Sequence, residues 1–171
     1  ISSYAKITAE KATETEISLV DGIALDQKGN IYISMREHNV ISRIDTKGIM
    51  TRFAGSGEAG FSGDGGASVN AKFRTPANLT FDPKGNLYIA DWRNDRIQKF
   101  DCNGNYIKSI GQTGSGKGQF NRPSDMAVDK DGNIYVADWG NQRVQVVDSD
   151  GEYLDSHRGA AHLNPWSVEY L

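Results

Sequence analysis

Apolar and polar residues alternate along this chain in short runs, and the runs recur in sets of four. The first of each set spans Asp21 to Asp26, Ala77 to Asp82 and Ser124 to Asp129. A polar turn follows, then Gly29-Asn30-Ile31-Tyr32-Ile33-Ser34, Gly85-Asn86-Leu87-Tyr88-Ile89-Ala90-Asp91-Trp92 or Gly132-Asn133-Ile134-Tyr135-Val136-Ala137-Asp138-Trp139. The third runs are Val40 to Ile44, Arg96 to Phe100 and Arg143 to Val147, and the fourth Ile49 to Ala54, Tyr106 to Ile110 and Tyr153 to His157. A two-residue period predicts strands, and no segment keeps three-and-four spacing for more than a turn. The Gly-Asn pairs supply the positive φ of tight hairpins.

Four short strands per unit, with turns between them, predict an all-β chain of propeller blades. Gly29, Gly85 and Gly132 lie 56 and 47 residues apart, near the roughly 40–50 residues of a blade repeat. The Gly-rich stretch from Gly55 to Phe73 lengthens the first interval. The expected units are residues 19–74 with that loop, 75–121 and 122–163, each centred on a four-stranded antiparallel blade. Tyr4 to Thr8 resembles Tyr106 to Ile110, so residues 1–18 read as the outer strand of a neighbouring blade plus a connection. Residues 164–171 align with Arg122 to Asp129, an innermost strand.

At these residues the units resemble NHL repeats. That family's unit runs through Pro-x-Gly-Val-Ala-Val-Asp, a turn, Gly-Asn-Ile/Leu-Tyr-Val/Ile-Ala-Asp and then Asn-x-Arg. Asp91-Trp92-Arg93-Asn94-Asp95-Arg96-Ile97 and Asp138-Trp139-Gly140-Asn141-Gln142-Arg143-Val144 follow that pattern. Ala54 to Gly66 resembles an inter-blade loop of bacterial members. The first unit departs, with Met35, His38 and Val40 at the positions of Asp91, Asn94 and Arg96. The resemblance implies a six-bladed ring, of which three blades are half. An open set of three exposes two apolar sheets, so the chain is expected to be an excerpt of a longer propeller or to close a ring as a homodimer.

The repeated carboxylates and guanidiniums, Asp91 with Arg96 and Asp138 with Arg143, are read as structural ion pairs, because a catalytic site is not usually copied into every blade. Departures at the start of the innermost strands carry more information. Asp21, Asn78, Asp125 and Ser167 are the ligand and channel candidates. The first three offer oxygen donors suited to Ca²⁺ or Mg²⁺. Lactonases resembling gluconolactonase place a metal there, although only Asp21 is in their register. Amidating lyases bind metal through three histidines, but His38, His157 and His162 have no such spacing.

Composition narrows the partners. The net charge is −3 with a pI near 5.6, which disfavours nucleic acid. The nearest basic grouping is Lys108, Lys117 and Arg122, and it reads as a solvated face. No apolar run approaches the length of a membrane span. Cys102 is the one cysteine, which excludes an internal disulfide and leaves the compartment unknown. Gly114 to Gly118 lacks the spacing and following helix of a phosphate loop. Three function classes follow: a non-catalytic scaffold binding a protein, peptide or small ligand without a cofactor, a metal-dependent lactonase or hydrolase using the central channel, and a self-associating structural ring module.

Overall fold

A computed structural model describes residues 10–12, 17, 19–62 and 65–158. The strand expected at Tyr4 to Thr8, the innermost strand expected over residues 164–171 and Ser167 within it lie outside the described residues. Thirteen strands are described. The first sheet holds β1 (Glu10–Lys11), β2 (Val20–Leu25), β3 (Ile31–Met35), β4 (Val40–Ile44) and β5 (Ile49–Ala54), in the order β1-β5-β4-β3-β2. The second holds β6 (Pro76–Phe81), β7 (Leu87–Asp91), β8 (Arg96–Phe100) and β9 (Tyr106–Ile110), and the third β10 (Pro123–Val128), β11 (Ile134–Asp138), β12 (Arg143–Val147) and β13 (Tyr153–His157). Both are four-stranded meanders in sequence order. The fold is an all-β stack of antiparallel propeller blades. Glu10 and Lys11, expected in a connection, instead pair along β5 opposite Met50 and Ile49, which adds a fifth strand to the first blade.

The period-two pattern becomes two interlocking layers. On β7 every residue is buried. Leu87 and Ile89 face the first blade, meeting Tyr32 and Ile41. Tyr88 and Ala90 face the third, meeting Met126, Ile134 and Val136. Strands buried on both faces read as nearly continuous apolar runs, which is why this stretch dominates the sequence. Each inter-blade loop adds one aromatic plug, Phe73 in the first layer and Phe120 in the second. Gly111 makes room for Phe120: a Cβ there would collide with that ring, and its φ of +85° suits glycine alone.

The hairpins at one end of the blades share a single design. Asp82 accepts hydrogen bonds from the backbone N–H of Lys84 (2.9 Å) and Asn86 (2.8 Å), and its second oxygen accepts from the Asn86 amide at 2.7 Å. Asp26, Asp101 and Asp129 make the same set with Asn30, Asn105 and Asn133. Asp45 and Asp148 make the two backbone bonds of that set. At the opposite end each blade carries a one-turn connection between its second and third strands. Its last residue is left-handed, and in the first two blades it reaches the next one: the Asn39 side chain accepts from the Thr75 N–H (2.9 Å), and Asp95 from the Arg122 N–H (2.7 Å).

Candidate functional site

The charged residues of the repeat are committed to the framework. Asp91 ends β7 and is fully buried. One of its oxygens accepts from the Arg74 N–H at 2.7 Å. The other accepts from the Asn94 amide at 2.8 Å and Arg96 Nε at 3.0 Å. Burial pushes the Asp91 carboxyl up to about 6, against the pull of those three donors. Asp138 repeats the arrangement with the Asn121 N–H (2.7 Å), the Asn141 amide (2.8 Å) and Arg143 Nε (2.7 Å).

What the two clamps hold is the loop entering each blade, not only the blade itself. The Asn94 amide also donates to the Gly60 carbonyl at 2.7 Å, and the Arg96 guanidinium lies 4.0 Å from the Phe61 ring centroid. Arg143 Nη2 donates to the carbonyls of Gly116 and Gln119, both at 2.8 Å, while the Asn141 amide donates to the Gly114 carbonyl at 2.8 Å. A buried carboxylate and guanidinium are tolerable because nearly every donor and acceptor finds a partner. In the first blade Met35 and Val40 join an apolar cluster with Ile33 and Met50.

A cleft of about 280 Å³ opens near the start of the innermost strands, and Asp21, Arg36, Thr75, Ala77, Trp92 and Ser124 are its described lining. Asp21, Ala77 and Ser124 hold one repeat position, one residue into successive innermost strands. Asn78 and Asp125, one residue further on, are not among that lining. The Asp21 carboxylate pairs with Arg36 Nη1 at 3.2 Å, and Asp125 accepts from the Met126 N–H at 2.8 Å. Asn78 sits where β6 passes β2: a Cβ on Gly22 would come within 2.8 Å of its Cα. The described residues hold no group of three or more His, Cys, Asp and Glu placed to share a cation. As a divalent cage Asp21, Asn78 and Asp125 fit poorly, since the Asp21 carboxylate faces a guanidinium and an Asp125 oxygen accepts from the next residue's N–H.

Beside the cleft the one-turn connections form a rim that sequence spacing did not reveal. Arg36, Trp92 and Trp139 hold the same position in successive blades. The two indoles lie 6.3 Å apart, and the Arg122 guanidinium covers both, at 5.4 Å from Trp92 and 5.5 Å from Trp139. Thr75 is the first-interval equivalent of Arg122; being short, it leaves open the space that an arginine fills one blade later. His157 is 3.3 Å from Asp155 on the outer strand, and Cys102 is exposed in its turn. No described helix is long and apolar enough to cross a membrane.

The NHL repeat family model matches residues 73–100 and 120–153. The chain carries NHL repeats. The two matched NHL segments contain the Asp–Asn–Arg clamps, whereas the first blade holds the Met35, His38 and Val40 departures. Teneurin-1 of Caenorhabditis elegans is 38% identical over 96 residues, half of this chain, and mouse Teneurin-1 is 26% identical over 117 residues, 61% of it. The chain spans about 4% of the length of these curated relatives. Solved propellers align over most of its length. A streptogramin B lyase structure has a TM-score of 0.62 at 14% identity, over 88% of this chain and 44% of that one. A chain of a nidogen/laminin complex has a TM-score of 0.62 at 18% identity, over 86% and 52%. At such identities the likeness is one of fold.

Proposed function

We propose that these NHL blades are a non-catalytic scaffold whose one-turn rim and channel-mouth cleft bind a protein, peptide or small ligand. One observation carries the reading. The repeated Asp91–Arg96 and Asp138–Arg143 pairs are spent on holding loops, so the groups that differ from blade to blade gather at the rim and cleft. A rigid repeat frame presenting variable loops is a binding design. The test is peptide-library selection on the immobilised chain, with Thr75→Arg as the counter-screen. That change copies Arg122 into the equivalent position and fills the cleft. Binders lost on the variant support the scaffold; a selection yielding none, or only binders indifferent to Thr75→Arg, counts against it. A divalent ion retained stoichiometrically after dialysis would instead favour the lactonase reading.

A second reading, self-association that completes a ring, rests on a like-for-like comparison. Ile23 and Leu25 are 66% and 64% exposed on the first blade, whereas Leu79, the equivalent of Ile23 in the second, is 2% exposed. That face has the chemistry of a blade interface. Another blade covering it would come from the same polypeptide or from a second copy. Light scattering separates these for the 18.7 kDa chain: a doubled mass supports the second copy, and a monomer removes it.

A further inference from the structure

We propose that the rim of the second and third blades is a site for the carboxylates of an acidic protein segment, formed by Arg93 and Arg122 on the indoles of Trp92 and Trp139 with the exposed Arg74 next to Arg93. It rests on the scaffold reading and names the chemistry of its partner. The three arginines are separated by 19 and 29 residues in sequence, yet the fold sets the Arg93 and Arg122 guanidiniums on one indole and the Arg74 backbone beside Arg93. Arg93 donates its N–H to the Arg74 carbonyl at 3.1 Å. The Arg93 and Arg122 guanidiniums both lie 5.4 Å from the Trp92 ring, and Arg122 also covers Trp139.

All three side chains are exposed, and none has a carboxylate partner among the described residues. This sets them apart from Arg36, Arg96 and Arg143, which face Asp21, Asp91 and Asp138. The Asp95 carboxylate beside Arg122 is turned to that residue's backbone N–H and to the Thr113 hydroxyl, at 2.7 and 2.8 Å. Stacking on an indole restricts a guanidinium before any ligand arrives, which lowers the entropy lost on binding. A guanidinium fork matches a carboxylate in two parallel hydrogen bonds. The half-buried indoles offer apolar contact between acidic side chains. The chain as a whole carries −3, so a long polyanion would be repelled away from the patch, whereas a short acidic segment need touch only the patch.

The experiment titrates the isotope-labelled chain with a capped peptide of alternating Glu and Leu, following the indole N–H resonances of Trp92 and Trp139. Saturable shifts of both, weakened by added salt, are expected. The double variant Arg93→Gln/Arg122→Gln should lose about tenfold or more in affinity with its thermal midpoint unchanged, and Lys108→Gln should bind as the parent does. Unmoved indole resonances, or equal affinity in the double variant, overturn the proposal. Tighter binding of a sulfated oligosaccharide or a single-stranded RNA than of the peptide overturns the choice of partner. Ligands that are lost on Thr75→Arg but survive the arginine double variant would leave the scaffold reading standing and this one fallen.

Discussion

The turn aspartates look interchangeable in the sequence, and their surroundings make them unequal. Asp82 is 6% exposed and, besides its turn, faces Lys99 Nζ at 3.8 Å and the Tyr88 hydroxyl at 3.3 Å. Asp101 serves only its own turn, near the surface. Asp82→Ala should therefore cost about 3 kcal/mol, because it strands a buried ammonium as well as the turn donors. Asp101→Ala should cost about 1 kcal/mol, both read from urea midpoints. The pH dependence carries two opposite signs. In Asp26, Asp101 and Asp129 burial is outweighed by the Asn and backbone donors, so their carboxyls titrate below 3.8. The stability they give is present above that value and is lost as pH falls through their folded-state range. Asp91 is raised from 3.8 to about 6; between those values the folded state holds more protons, so its contribution declines as pH rises. A carboxyl-carbon NMR titration should show Asp91 as the last of these four to ionise. Ionisation of Asp91 alongside Asp101 would mean that the Arg96 and Asn94 donors dominate burial.

Strands and hairpins were legible because they depend on neighbours within a few residues: alternation sets the faces, and Gly-Asn sets the turn. The closing Asp of each first strand was visible as a letter, but its role as acceptor for the N–H groups two and four residues on was not drawn from it. The Asp-x-x-x-Asn spacing was the signal that could have shown it. The clamps were legible as pairs and not as loop anchors, since Gly60, Gly114 and Gly116 contribute backbone carbonyls that no side-chain pattern announces. The arginine rim was invisible for a related reason, because it needs Arg93 and Arg122, on different blades, to meet one indole. The clamp reading predicts how Arg143→Ala behaves. Removing the guanidinium frees two loop carbonyls and leaves Asp138 buried with less compensation, a loss of about 3–5 kcal/mol. Amide exchange should speed up at Gly114 and Phe120, whose N–H groups close the 111–122 loop, while the Asp129–Asn133 turn stays protected. Uniform acceleration across the third blade would show that the pair holds the sheet rather than the loop.

At the scale of the molecule, the same repeat position experiences different surroundings in successive blades, and this makes the open face measurable. Leu79 lies in the layer between the first two blades, so Leu79→Ala should cost about 2–5 kcal/mol through lost burial and a cavity. Ile23 occupies the equivalent place on a face that no described residue covers, and Ile23→Ala should cost no more than about 0.5 kcal/mol in a monomer. Unfolding both variants at low and high protein concentration separates the cases. If a second copy packs on β2, the cost of Ile23→Ala grows with concentration toward that of Leu79→Ala, because association adds to apparent stability by mass action. If the cost stays small at every concentration, no second copy covers this face.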